Sequence, residues 1–222
     1  MAIEGNDQRP LLKLSEAIIE LANNLKNCKC NAQTPDQEED VVVQLETAPF
    51  AKACSLVSPL IGCLGIAFKF AVMEYNAKVH DLGEASKSLG TLQMMVDQDV
   101  EANCVRKSWS HTRNLLRVKR GLDVVRVLFE QIMATEGSSI KNAASTAYAQ
   151  VFAPYHGWAI RKAVAAGMYT LPTKAEFLKM LHEDESSARI QMQNYIAAVA
   201  PVTEYIDKLF HSRDLLDLFD SD

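Results

Sequence analysis

"HTRNLLRVKRGLD" occupies residues 111–123. Set on a helical wheel at about 100° per residue with Arg113 at the origin, Arg117 falls at roughly 40° and Arg120 at roughly 340°. Three guanidinium groups therefore share one face of a helix. Farther along, that face carries Val124, Val127 and Leu128. The opposite face carries Leu115, Val118, Leu122, Val125 and Phe129. A helix that is apolar on both sides is buried on both sides or lines a cavity. Alone, the arginine face fits the solvated or salt-bridged end of a core helix. It also fits a site for an anion joined to an apolar body, because forked guanidinium groups suit a phosphate and the lower stripe suits hydrocarbon.

The surroundings of this stretch are as uneven as the stretch itself. Residues 102–122 hold six cations and no acid, while the 222-residue chain has a net charge of −5. That acidic balance argues against general nucleic-acid binding, which needs a basic surface. A hydrophobic share of 48% and a charged share of 23% are those of a soluble globular protein. The five cysteines, Cys28, Cys30, Cys54, Cys63 and Cys104, are odd in number and read as reduced thiols of an intracellular protein. No Cys/His metal spacing appears, and residues 1–14 do not form a secretory signal. The apolar run of residues 55–73 is interrupted by Pro59, Gly62, Gly65 and Lys69. It reads as a buried core helix rather than a membrane span.

Outward from the basic helix, nearly everything has helical periodicity. A first amphipathic helix is expected from Leu11, Leu14, Ile18, Leu21 and Leu25. Residues 27–49 break the pattern with an acidic loop, and "VVVQL" is too short and isolated to found a sheet. A helix resumes near Phe50 and runs to about Asp81, bent at Pro59. Another covers residues 84–102. The basic helix ends near Gly137, and two shorter helices flank Pro154. Thr173 and Glu176 form a capping box. A last helix starts near Pro201 and ends near His211. This gives one all-α domain of about eight helices over residues 1–222, with an acidic loop insertion expected at 31–47.

Two further segments bear on the arginines. In "EYNAKVHD", Glu74, Lys78 and Asp81 share one helical face. They are either an ordinary surface pair with a neighbour or a polar cluster at the end of a hydrophobic helix. In "YHGWAIRK", His156 and Trp158 flank a glycine within residues 137–175, which contain no acid. The histidine fits a structural hydrogen bond. The tryptophan fits the core, or a headgroup boundary at a membrane surface.

Taken together and in order, "CSLVSPLIGCLGIAFKF", "MEYNAKV", "HTRNLLRVKRGLD" and "YHGWAIRKA" resemble the glycolipid transfer protein superfamily. Within it they are most similar to the plant accelerated-cell-death branch, which resembles ceramide-1-phosphate transfer proteins. The resemblance spans residues 11–210. It implies a two-layer all-α fold that holds one sphingolipid, with the headgroup in a surface cleft and the chains in an apolar pocket. It implies transfer between membranes in the cytosol by a monomer, with transient peripheral membrane contact and neither cofactor nor catalysis.

By the same resemblance, Glu74 binds the ceramide amide, Lys78, Arg113 and Arg117 bind the headgroup, and His156 binds the ceramide carbonyl. Trp158 is the candidate membrane-docking residue. Sugar-binding members carry asparagine at the position of Lys78 and tryptophan at that of Arg117. Glu74 departs from the family's usual aspartate by one methylene. The alternatives are a glycolipid carrier and a helical regulatory module that binds lipid with little transport. An enzyme acting on phosphate esters has no nucleophile–base spacing to support it.

Overall fold

In this computed structural model, residues 9–30, 44–135 and 137–215 are described. Their helices are α1 (Pro10–Cys30), α2 (Thr47–Ser55), α3 (Val57–Gly62), α4 (Lys69–Ala85), α5 (Leu92–Glu101), α6 (His111–Ala134), α7 (Lys141–Val151), α8 (Trp158–Gly167), α9 (Lys174–Met180) and α10 (Glu185–His211). Short 3-10 turns lie at Ile66–Phe68, Ala153–Tyr155 and Met168–Thr170. Among the described residues the only extended pairing is in the isolated bridges Glu46–Thr91 and Ser139–Thr173.

The helices stack in two layers with α6 at the centre, in contact with α4, α5, α7 and α10. The stripe Leu115, Val118, Leu122, Val125 and Phe129 is buried, as its periodicity predicts. Tyr195 of α10 donates its hydroxyl to the Leu122 carbonyl at 2.9 Å and meets Phe129 edge-on at 5.3 Å. A buried tyrosine so bonded leaves no polar atom stranded in the core. Helix α1 covers α10 and α2 covers α4.

Four expectations change at the level of elements. The span from Phe50 to Asp81 is not one bent helix but α2, α3, a 3-10 turn and α4. The break follows Gly62 and is fixed at Gly65, whose φ of 102° suits a residue without a Cβ. The apolar run is consequently not all core. Val57 and Leu60 are buried, yet Ile66 is 88% exposed and Phe70 72% exposed. The expected helix over 84–102 is shorter, because α4 continues to Ala85 and Thr91 caps α5 through a bond from Met94 N–H. The last helix begins at Glu185, not near Pro201, with Asp184 as its N-cap. The buried stripe from Ala188 through Tyr195 to Ile206 carries the helix through a proline that propensity alone would make a break.

The capping box at Thr173 and Glu176 is present. The acidic segment at 34–40 lies outside the described residues, as do the side chains of Cys28 and Cys30. The thiols of Cys54, Cys63 and Cys104 are free.

Candidate functional site

The basic face starts at a doubly capped helix end. Ser110 Oγ accepts the Arg113 N–H at 3.2 Å, and Asp99 Oδ2 accepts the Thr112 N–H at 2.7 Å. Asp99 also takes bonds from the Ser110 hydroxyl at 2.8 Å and the Cys104 thiol at 3.2 Å. An acid here faces the positive end of the α6 dipole. Burial alone would raise the Asp99 pKa, but the bonds from Thr112, Ser110 and Cys104 together outweigh it and hold the carboxyl below its ordinary 3.8. The first turn of α6 is thereby tied to α5, and Arg113 donates to the Arg106 carbonyl at 3.2 Å.

Helix α4 lies along α6 with its direction reversed, which two contacts establish. At one level the Tyr75 ring rests on Gly121, where an added Cβ would lie 2.8 Å from Tyr75 Cδ2 and closer still to Cε2. At the other level Asp81 Oδ2 meets His111 Nδ1 and Asn114 Nδ2, each at 2.8 Å. Lys78 lies between Tyr75 and Asp81 on α4, and Arg117 lies between Asn114 and Gly121 on α6. The two cations therefore stand at the same level of the pair, with Arg113 one turn away. Glu74 is exposed and sits 3.6 Å from the Lys78 ammonium across one helical turn.

Arg120 continues the basic face but is buried, with its guanidinium carbon 3.3 Å from the Tyr155 ring centroid. That stacking brings the Ala153–Tyr155 turn to α6, and His156 follows it directly. His156 Nδ1 lies 2.9 Å from the Tyr148 hydroxyl, and its ring stacks on Phe152 at 5.6 Å. The histidine thus has the structural hydrogen bond expected of it, on the same side of α6 as the arginines. The Arg120–Tyr155 stack had no local signal. Only a pairing between residues 35 apart in sequence carries it.

Trp158 opens α8 and is 73% exposed, with the Lys162 ammonium 5.9 Å from its ring. No residue of α8 is buried. The far end of α8 touches the Ile66–Phe68 turn, since a Cβ on Gly167 would lie 3.4 Å from Ala67 Cβ. Ile66, Phe70, Trp158 and Tyr169 are therefore exposed apolar groups on adjoining elements.

A groove of about 800 Å³ lies farther along α6, toward α10, lined by Arg120, Asp123, Arg126, Tyr155, Glu204 and Phe210 among others. It excludes Lys78, Arg113 and Arg117. Its charges are paired, Lys119 with Asp207 of α10 at 2.7 Å and Arg126 with Glu130 one turn along α6 at 2.7 Å. Among the described residues no group of three or more His, Cys, Asp or Glu side chains could hold a metal ion.

The profile of the family described as Glycolipid transfer protein (GLTP) matches residues 45–183. The chain belongs to the glycolipid transfer protein family. Among relatives of this family, it is 57% identical over 213 residues to Accelerated cell death 11 of Arabidopsis thaliana, covering 96% of this chain and 97% of that one. A crystal structure of a point variant of that Arabidopsis protein, complexed with C12 ceramide-1-phosphate, superposes with a TM-score of 0.84. It is 57% identical and covers 93% of this chain and 98% of the other. Human ceramide-1-phosphate transfer protein in complex with 12:0 ceramide-1-phosphate has the same fold at a TM-score of 0.74 and 19% identity, covering 91% of this chain and 97% of the other. Helices α2 to α9, with every residue singled out at the cleft, fall inside the matched family region.

Proposed function

We propose that this protein carries one ceramide-1-phosphate at a time between membranes and performs no covalent chemistry. The observation that carries the reading is the level pairing of Lys78 with Arg117, with Arg113 one turn away. A phosphate monoester bears about −1.5 to −2 charges at pH 7, and three cations on two adjacent helices match it. A neutral sugar would offer those cations no charge to bind. The Arabidopsis relative of 57% identity has been crystallised with ceramide-1-phosphate, which supports the same headgroup here.

In this reading Lys78, Arg113 and Arg117 hold the phosphate, Glu74 accepts the amide N–H, and His156 donates to the amide carbonyl. The Glu74–Lys78 contact is loose enough to open when the lipid arrives. Trp158, with Ile66, Phe70 and Tyr169, rests on the membrane surface, where an aromatic ring beside a cation is at home. Among the described residues no helix is long and apolar enough to cross a membrane. In this reading a monomer works from the cytosol and touches the membrane only transiently.

Native mass spectrometry of protein purified from a cell extract tests the reading. Bound phosphosphingolipid at one per chain is expected. Bound glycosphingolipid in its place would overturn it.

A further inference from the structure

Asp81 is a puzzle if the cleft binds a dianion. It is an acid one turn from Lys78, on the face that presents the cations. An unattached carboxylate there would weaken phosphate binding. Its contacts suggest a different role. One oxygen, Oδ2, takes both His111 Nδ1 and Asn114 Nδ2 at 2.8 Å. Asn114 is buried, and its own Oδ1 has no hydrogen-bond partner among the described residues. The amide cannot turn to improve this, because its oxygen would then face the carboxylate. The orientation of Asn114 is thus set by Asp81, at the cost of an orphaned acceptor.

We infer that Asp81 is a positioning residue for the phosphate cleft. By gripping His111 and Asn114 it fixes the register of α4 on the first turns of α6. Asn114 neighbours Arg113 and lies three residues before Arg117. Lys78 lies three residues before Asp81. A slip at the Asp81 clamp would move Lys78 off the level of Arg117 while Tyr75 on Gly121 still held the helices together. The carboxylate acts through geometry and not through its charge. Three cations at fixed spacing discriminate a phosphate better than three that move.

This inference rests on the headgroup reading above, and two substitutions separate the two. Asp81→Ala removes the clamp and the negative charge. Asp81→Asn removes the charge alone, since an asparagine whose amide oxygen takes the place of Asp81 Oδ2 can accept from both Asn114 Nδ2 and His111 Nδ1. Initial transfer rates of ceramide-1-phosphate between vesicles are measured as a function of acceptor concentration, together with thermal melts. Asp81→Ala is expected to lose about tenfold in transfer of the phosphate lipid, as for loss of one charge-assisted bond. Asp81→Asn is expected to retain wild-type transfer, and both are expected to melt near wild type.

Equal or faster transfer by both variants would mean that Asp81 is only a repelling charge, and would overturn the inference. So would losses in Asp81→Ala that follow its melting temperature, or an Asp81→Asn as impaired as Asp81→Ala. A wild type that moves no ceramide-1-phosphate would instead refute the headgroup reading.

Discussion

At Gly121 the absence of a side chain lets the Tyr75 ring lie against the α6 backbone. The ring has nowhere to retreat, because it is buried and its hydroxyl donates to the Cys54 carbonyl at 3.2 Å. Burial pushes both the Tyr75 hydroxyl and the Cys54 thiol well above their ordinary pKa values, so this contact stays neutral. Gly121→Ala is therefore expected to destabilise by about 1–3 kcal/mol through overpacking. Gly83→Ala, whose Cβ would meet nothing within 4 Å, is expected to be neutral or to stabilise by up to about 1 kcal/mol. Urea denaturation of the two variants compares them directly, and equal midpoints would refute the close approach. Sequence spacing put Glu74, Lys78 and Asp81 on one face because helical periodicity is local. It was silent on Tyr75 and Gly121, whose meeting depends on how two distant segments pack.

Among the elements, α6 was the most legible and the α2–α4 region the least. Both faces of α6 followed from periodicity, and the serine at its N-cap preceded the expected start. The apolar run of residues 55–73 misled because hydrophobicity does not say which side of a helix faces protein. Gly62 and Gly65 turn the chain there, and beyond them Ile66 and Phe70 point outward. The clamp at the start of α6 gives this scale its own prediction. Asp99 has a folded pKa below its ordinary 3.8, so folding favours its charged form. Its contribution is present above that ordinary value and is lost as pH falls through the lower folded value. At pH 7, Asp99→Asn is expected to cost about 1.5–3 kcal/mol, the loss of bonds to a charged acceptor. Denaturation midpoints of wild type and variant should begin to converge as pH falls below 3.8 and meet only below the lower folded value. A gap that is unchanged there would mean that Asp99 acts by shape alone.

For the whole molecule, the proposed headgroup cations and the exposed apolar groups occupy different positions. Lys78 stands midway along α4 with Arg113 and Arg117 in the first half of α6, whereas Ile66, Phe70, Trp158 and Tyr169 lie on the turn before α4, its first residues, α8 and the turn that follows α8. Headgroup recognition and membrane docking should therefore fail independently. Trp158→Ala is expected to weaken adsorption to vesicles and to slow transfer, with an unchanged melt, because the side chain is 73% exposed. A variant that unfolds would place Trp158 in the core instead. The cleft itself is tested most directly by the rate at which the protein moves ceramide-1-phosphate and galactosylceramide between vesicles. This is measured for wild type, for Arg117→Leu and for Lys208→Leu, an exposed cation on α10 paired with Glu204. Wild type should move the phosphate lipid faster, and Arg117→Leu should lose about ten- to a hundredfold of that rate while Lys208→Leu keeps it. Faster movement of galactosylceramide by wild type, or equal rates in the two variants, would contradict a phosphate site at Lys78, Arg113 and Arg117.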